Sequence, residues 1–522
     1  MGELLRLPLS MLGRRTHHPY LAVCAVLLGP YMVGFHSRLF GIGLADLRGI
    51  FGLSVDEGAW LSTFATAPQI LLAPAVPWLA ATFGVRRIMV IPALLYAFVS
   101  AIIPLTDTFD VLFVLHVVHG ALLGLFVPAT LMIIFRNLPM KWWVTAIALY
   151  AFRTAFTANS GTALLDFYVQ HLGWQFLYWQ DVLLAPLMGI LAFFGAPREE
   201  VNRDLLHHAD WGGMILFGAG ITMLFVAVDQ GNRLDWFESG FVVSTLLGGL
   251  TLLLAFFVNE RLVERPWASI GAIGARNVVL MLAVGALYMM AALSNTMLTT
   301  NYLTTVAQLR PEQIGTTLIQ WVCIPLVIMT PIAIWAMHRI DGRIVLMIGL
   351  SCFAISAFIG TGLTSQWNGE TFRTMCVFQG VGHILTFLPV IVISVAHGDP
   401  KKAIAVGAYI QVLRLLGQQM SQALMTTYLR KQEQLHSYLS GLNLDRGSQA
   451  ATGAISDMAH RLAAAGSTVS QSRATSIISQ HVQTQANVLS YIDAFWLTFF
   501  CAVGALVVLA FVSRAPRGPL SA

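Results

Sequence analysis

Charge is scarce in this 522-residue chain. Asp, Glu, Lys and Arg make up 11% of it, against about 25% in a soluble domain. Hydrophobic residues make up 57%, more than one globular core can hide, so a soluble fold is excluded. Cysteine is nearly absent as well. Cys24, Cys323, Cys352, Cys376 and Cys501 all lie in apolar runs without metal-ligand spacing. They read as small packing residues, which excludes a disulfide framework. HExxH, GxSxG and the Walker A loop are missing, and His207-His208 has no second ligand set. An enzyme, a metal centre and a cofactor therefore find no support. The net charge of +5 is spread over short loops, so nucleic acid is not read as a partner.

What the chain does have is long apolar runs, each able to cross a hydrocarbon core about 30 Å thick. Fourteen windows predict an all-α integral membrane protein in the lipid bilayer: 20–42, 58–81, 87–106, 110–135, 143–168, 176–196, 211–229, 240–259, 278–300, 313–336, 343–364, 373–396, 403–428 and 491–513. The first is too long for the apolar region of a signal peptide and is read as retained. An even count puts both termini on one side. Eighteen of the 30 Lys and Arg residues fall on that side. Arg38, Arg153 and Arg414 fall within spans, four lie in short opposite-side loops, and five lie in the long opposite-side segment 429–490. The positive-inside rule then predicts cytoplasmic termini and a multi-pass protein of the cell inner membrane. Segment 429–490 is polar and rich in Ser, Gln and Ala. It reads either as a helical hairpin extending the last two spans or as a docking surface for another protein.

Two stretches echo each other. LHVVHGALLGLFVP (115–128) and MCVFQGVGHILTFLP (375–389) each place a polar residue before Gly and reach Pro eight or nine residues later. Each falls in the fourth span of its half if the seventh and eighth spans are set aside as an insert. FGVRR (83–87) and RIDGR (339–343) repeat a basic turn. Duplicated six-helix halves are a plan of membrane transporters. The organisation expected is a terminal segment 1–19, a half at 20–196, linker spans at 211–259, a second half at 278–513 that includes 429–490, and a tail at 514–522.

Ionisable residues inside spans cost about 2.5–3.5 kcal/mol each on insertion scales and usually face the bundle interior. Here they are His36, Arg38, His116, His119, Arg153, Asp166, His383 and Arg414. Asp181, Asp229 and Asp493 sit near span ends and read as interfacial. His116 and His119 share one helix face and are expected to face the central cavity. Gly120 and Gly124 in the same helix would let a neighbour approach closely. An imidazole titrates near neutral pH, whereas a guanidinium does not. Proton handling by His36, His116 and His119, with Asp166 and Arg153 as charge partners, stands beside neutral, hydrogen-bonded packing. Arg38, Arg153, Gln379, His383 and Arg414 are the substrate-cavity set. Arg153 and Arg414 would bind an anionic group, balance Asp166, or form a structural ion pair.

The chain resembles the fourteen-span drug:proton antiporter branch of the major facilitator superfamily, the EmrB/QacA type. VDQGNRLDWFES (228–239), HADWGG (208–213), DEGAWLSTF (56–64), QVLRLLG (411–417) and QANVLSYIDAFWL (485–497) carry the resemblance in the right order and spacing. It implies the major facilitator fold, two six-helix halves plus two inserted spans. It also implies export of lipophilic or amphiphilic compounds against protons, with a periplasmic adaptor and an outer-membrane channel as partners. Against the family pattern, His36 takes an Asp position, Arg38 a Thr, Gly41 an Asn and Ala45 a Pro. His116 takes an Arg position, and His119-Gly120 takes Gln-Gly. Thr162 replaces the Pro of a Gly-Pro motif, Leu165-Asp166 replace two glycines, Pro77 replaces a Gly and Ala80 an acid. The cationic inventory leans toward anionic or aromatic amphiphiles. An importer or uniporter on the same fold, and a non-transporting receptor, remain as alternatives.

Overall fold

The computed structural model describes residues 19–41, 43–269, 271, 274–397, 403–445, 449–464 and 470–514. Most of the expected terminal segment 1–19 and of the tail 514–522 lies outside them.

Every regular element among the described residues is helical. The first part of the chain forms α1 (Pro19–Gly41), the short α2 (Leu44–Phe51), and α3 (Val55–Leu72). A 3₁₀ turn at Ala73–Ala75 joins α3 to α4 (Val76–Phe83). Then come α5 (Val85–Ile102), α6 (Phe109–Asn137), α7 (Trp143–Phe167) and α8 (Phe176–Gly195). The short α9 (Arg203–His207) leads to the inserted pair α10 (Trp211–Gly231) and α11 (Gly240–Leu262). The second part is built from α12 (Arg276–Leu293), α13 (Thr300–Thr305), α14 (Pro311–Leu318), α15 (Ile324–Arg339), α16 (Gly342–Gly360) and α17 (Arg373–His397). It continues with α18 (Ala403–Val412), α19 (Gln418–Asp445), α20 (Gln449–Ala464) and α21 (Ser470–Ala510).

Local chemistry fixes several ends. Ser54 and Glu57 form a reciprocal capping box at α3, which satisfies two otherwise orphan backbone donors. Asp210 accepts from the Gly213 N–H at 2.8 Å and starts α10. Asp341 does the same for α16 through Arg343 N–H at 3.0 Å. Four π-helical stretches interrupt the long helices, at 168–172, 294–299, 319–323 and 413–417.

Among the described residues, twelve continuous helical stretches are long and apolar enough to cross a membrane. The other two predicted spans, 143–168 and 403–428, exist as helices but fall outside that set. They are the two that carry Arg153 and Arg414. Arg153, Asn159 and Gln411 in them are buried, which is where a span can hold polar groups at tolerable cost.

Helices α1, α5, α6 and α8 pack on one another, and so do α12, α16, α17 and α21. These are the centres of two bundles. Along the seam between them, α7 runs against α14, α15 and α17, while α18 packs on α4. Gly315 of α14 sits so close to α7 that a Cβ there would stand 2.6 Å from Ala163 Cα. In the first bundle, the expected small-residue stripe is real. A Cβ at Gly120 would run into the Ala65 carbonyl, and one at Gly124 would lie 2.7 Å from Gln69 Cα.

The inserted α10 packs on both α3 and α19. The VDQGNRLDWFES turn ties it there. Thr63 Oγ1 donates to Asp229 Oδ2 at 2.5 Å, Arg233 pairs with Asp56, and Arg430 Nη2 reaches Asp235 Oδ1 at 3.1 Å. Within segment 429–490 the described residues are helical: α19 continues to Asp445, α20 follows, and α21 begins at Ser470. His436 Nε2 meets Asp493 Oδ2 at 2.8 Å and pins this extension to the last span.

Candidate functional site

The predicted site residues other than Asp166 divide into two groups. His36, His116 and His119 come together inside the first bundle, between α1, α5, α6 and α8. They are 2%, 0% and 1% exposed, and they do not face the seam between the bundles. The expectation of a cavity-facing pair is corrected on this point. The cause is the companions that the neighbouring helices offer: Tyr96 and Ser100 on α5, and Tyr178 and Asp181 on α8.

Asp181 is the residue that sequence reasoning misplaced. Read as interfacial, it is 0% exposed. His36 Nε2 lies 2.5 Å from its Oδ2, and the Tyr96 hydroxyl donates to the same oxygen at 3.0 Å. A carboxylate only accepts, so His36 Nε2 carries a hydrogen and donates it. His36 Nδ1 and Asp181 Oδ1 are both buried without a hydrogen-bond partner.

His116 differs. Its Nδ1 donates to the Leu112 carbonyl at 2.7 Å, which leaves Nε2 to accept from the Tyr178 hydroxyl at 2.9 Å. Both ring nitrogens are satisfied in the neutral form, which is the packing arrangement. His119 stacks on Tyr96 with ring centroids 4.2 Å apart and lies 4.7 Å from the His36 ring. Its Nε2 is 3.2 Å from Ser100 Oγ.

His36, His119 and Asp181 each offer one ligand atom, all within 4.8 Å of one another. Two ligands on a tetrahedral zinc ion stand about 3.3 Å apart, given metal–ligand distances near 2.0 Å. The 2.5 Å contact between His36 and Asp181 would have to break to admit such an ion.

Asp166 is not part of this cluster. It lies in the last turn of α7 and accepts from Gln170 Nε2 at 2.9 Å. Thirteen residues of helix separate it from Arg153, a rise of about 20 Å. It balances neither Arg153 nor the histidines. It acts instead on Asp46 of α2: burial first, and then the Asp166 charge, push the Asp46 carboxyl up.

The second group lies at the seam. Arg38 of α1 reaches the Thr296 carbonyl at 2.9 Å, bridging the two bundles. Arg153 of α7 is 8% exposed. Its Nη2 donates to Thr154 Oγ1 at 3.0 Å, and its Nε is buried without a partner. Arg414 sits on the π stretch at 413–417 and donates from Nε to Gln411 Oε1 at 2.9 Å. His383 Nδ1 is 2.8 Å from the Tyr288 hydroxyl. Gln379 is wholly buried, with Nε2 3.5 Å from Ser294 Oγ. Among the described residues, no acid forms an ion pair with Arg38, Arg153 or Arg414.

Comparison with known proteins agrees with this layout. A family model for the Major Facilitator Superfamily matches residues 26–420. The multidrug export protein EmrB of Haemophilus influenzae is 20% identical over 95% of this chain and 96% of its own. The fatty acid resistance protein FarB of Neisseria gonorrhoeae is 20% identical over 78% of this chain and 80% of its own. A solved structure of the proton:xylose symporter XylE, bound to 6-bromo-6-deoxy-D-glucose, superposes with a TM-score of 0.56 at 13% identity. That match covers 95% of this chain and 96% of the symporter, and it bears on the fold alone.

Proposed function

The chain belongs to the major facilitator superfamily of membrane transporters, and from that membership we propose that it is a proton-coupled exporter of lipophilic or amphiphilic compounds. The observation that carries this reading is the buried His36–Asp181 pair. A transporter that couples to protons needs a group whose charge changes by one inside the fold. His36 stands at a position where related exporters carry an acid, and Asp181 supplies the missing carboxylate from α8. His119 adjoins the pair and completes the proton-handling set. His116, with both nitrogens engaged, serves to hold Tyr178.

In this reading the two halves, 20–196 and 278–513, rock about the seam, and Arg38, Arg153, Gln379, His383 and Arg414 meet the substrate there. The inserted spans 211–259 stay tied to both halves. The basic residues on the terminal side support cytoplasmic termini in the inner membrane. The helical segment 429–490 then lies in the periplasm. It exposes Leu435, Tyr438 and Leu439 at 48%, 63% and 47%, an apolar surface suited to an adaptor protein that leads on to an outer-membrane channel. Similarity to relatives named for multidrug export and for fatty acid resistance supports the export direction and the amphiphilic substrate.

The test uses inside-out vesicles with an acidic lumen and a panel of lipophilic cations, aromatic acids and fatty acids. Uptake driven by the gradient, collapsed by a protonophore and absent in Asp181→Asn is the expected result. Uptake that ignores the gradient would replace this reading with a uniporter. No flux of any compound, with specific binding of a soluble protein to 429–490, would replace it with a receptor.

A further inference from the structure

Two cationic side chains at the seam lack the counter-charge that burial demands. Arg153 lies on α7 and Arg414 on the π stretch at 413–417, one from each bundle. Neither has an acid partner among the described residues. An uncompensated charge in a low-dielectric interior is costly, and proteins normally pair it. The pairing here is minimal: one hydroxyl for Arg153 and one amide oxygen for Arg414. Arg153 Nε, a donor, is buried with no acceptor.

The surroundings are aromatic. The Arg153 guanidinium lies 5.2 Å from the Tyr150 ring centroid. Tyr150 stacks on Phe387 at 6.0 Å, Phe387 stacks on His383 at 5.6 Å, and Tyr288 closes the row at 6.2 Å from Phe387. A charged locus next to an apolar wall recognises a molecule with one anionic end and one apolar body. A planar guanidinium fork favours a carboxylate in particular.

We infer that Arg153 and Arg414 form a carboxylate-binding site at the seam, and that the substrates are amphiphilic monocarboxylates whose apolar part lies along Phe387 and Tyr288. The anion supplies the charge that the protein withholds. It also offers a reason for the two bundles to close, because its carboxylate bridges an arginine from each. This rests on the transporter reading above and names its substrate class.

The experiment is equilibrium binding to the full chain in nanodiscs, without any gradient. The probes are 2-naphthoate, its neutral amide 2-naphthamide, and the cation 2-naphthylmethylammonium. The wild type is expected to bind naphthoate at least about tenfold more tightly than the amide, a difference of about 1.4 kcal/mol. The cation is expected to bind most weakly. Arg153→Gln and Arg414→Gln should each remove the preference for the carboxylate over the amide. Arg153→Lys, which keeps the charge and loses the fork, should retain part of it and guards against a folding defect. Equal affinity for acid and amide, undetectable binding of the acid, or a preference that survives in Arg153→Gln/Arg414→Gln would overturn the proposal. A charge preference without gradient-driven flux would overturn proton coupling and leave the carboxylate site standing.

Discussion

His36 on α1 and Asp181 on α8 meet at 2.5 Å, with neither side chain more than 2% exposed. The contact joins residues 145 positions apart at the heart of the first bundle. Removing one partner strands the other. Breaking a buried pair in this way costs about 3–5 kcal/mol. Asp181→Asn is therefore expected to lower the melting temperature sharply in detergent. The double variant His36→Gln/Asp181→Asn should recover much of that loss, since the two buried amides can hydrogen-bond to each other. Both variants should lack gradient-driven flux in vesicles. Retained flux in the stable double variant would place coupling elsewhere.

Gly120 is expected to tolerate nothing larger. Any Cβ there meets the Ala65 carbonyl of α3, and backbone cannot yield as a side-chain tip can. Overpacking of this kind costs about 1–3 kcal/mol. Gly120→Ala should lower the melting temperature accordingly. Gly453 of α20 has nothing within 4 Å of its would-be Cβ. Gly453→Ala should leave the melting temperature unchanged or raise it, because alanine is the better helix former.

Much of the architecture was legible because apolar length is a strong signal. The inserted pair shows as two apolar windows, and the motif between them is a clamp built from Asp229, Arg233 and Asp235. The histidine cluster was half legible. His116 and His119 announce themselves as polar residues three apart in an apolar run. Tyr178 and Asp181 on α8 show the same spacing, which is the signal that could have found Asp181. Its nearness to the start of α8 suggested an interface instead. Burial there comes from α1, α5 and α6, and no pattern within α8 reports their positions. Asp166 misled in the opposite way: an acid in an apolar window looks central, but α7 ends one residue later. The unpaired state of Arg153 and Arg414 is a property of the seam, and only tertiary structure shows that no acid reaches them.

Asp341 should contribute stability that depends on pH. It caps α16 and is held by Arg343 Nη2 at 2.9 Å and Arg514 Nε at 3.5 Å. Partial burial alone would raise its carboxyl, but the hydrogen bonds and charge of Arg343, with Arg514, carry it below its usual value. A lowered acid stabilises the fold above its unfolded pKa of about 3.9, and that stabilisation is lost as pH falls through the folded value. Asp341→Ala should therefore melt lower than wild type at pH 7, by about 1 kcal/mol for the lost cap. The gap should narrow below about pH 4. A gap that stays constant into strong acid would show that the Asp341 charge contributes nothing.

Arg38 should act as a latch on the seam. Its side chain leaves α1 with Cβ and Cγ beside Gly161 of α7, and its guanidinium donates to the Thr296 carbonyl in the π stretch of the second bundle. A hydrogen bond from a charged donor is worth about 1.5–3 kcal/mol, enough to shift a two-state equilibrium by tenfold or more. Opening at this point must separate α7 from the helix that carries Cys323, whose Sγ lies 3.9 Å from the Phe156 carbonyl and is 2% exposed. Cys323 therefore reports opening directly, provided the other four cysteines are replaced. Arg38→Gln is expected to increase labelling of Cys323 by a soluble maleimide about tenfold, and Arg38→Lys by less, because the lysine retains a charged donor. Equal labelling of wild type and Arg38→Gln would mean that the bond to Thr296 forms without holding the bundles together. The closed seam would then rest on the Gly315–Ala163 contact and its apolar neighbours.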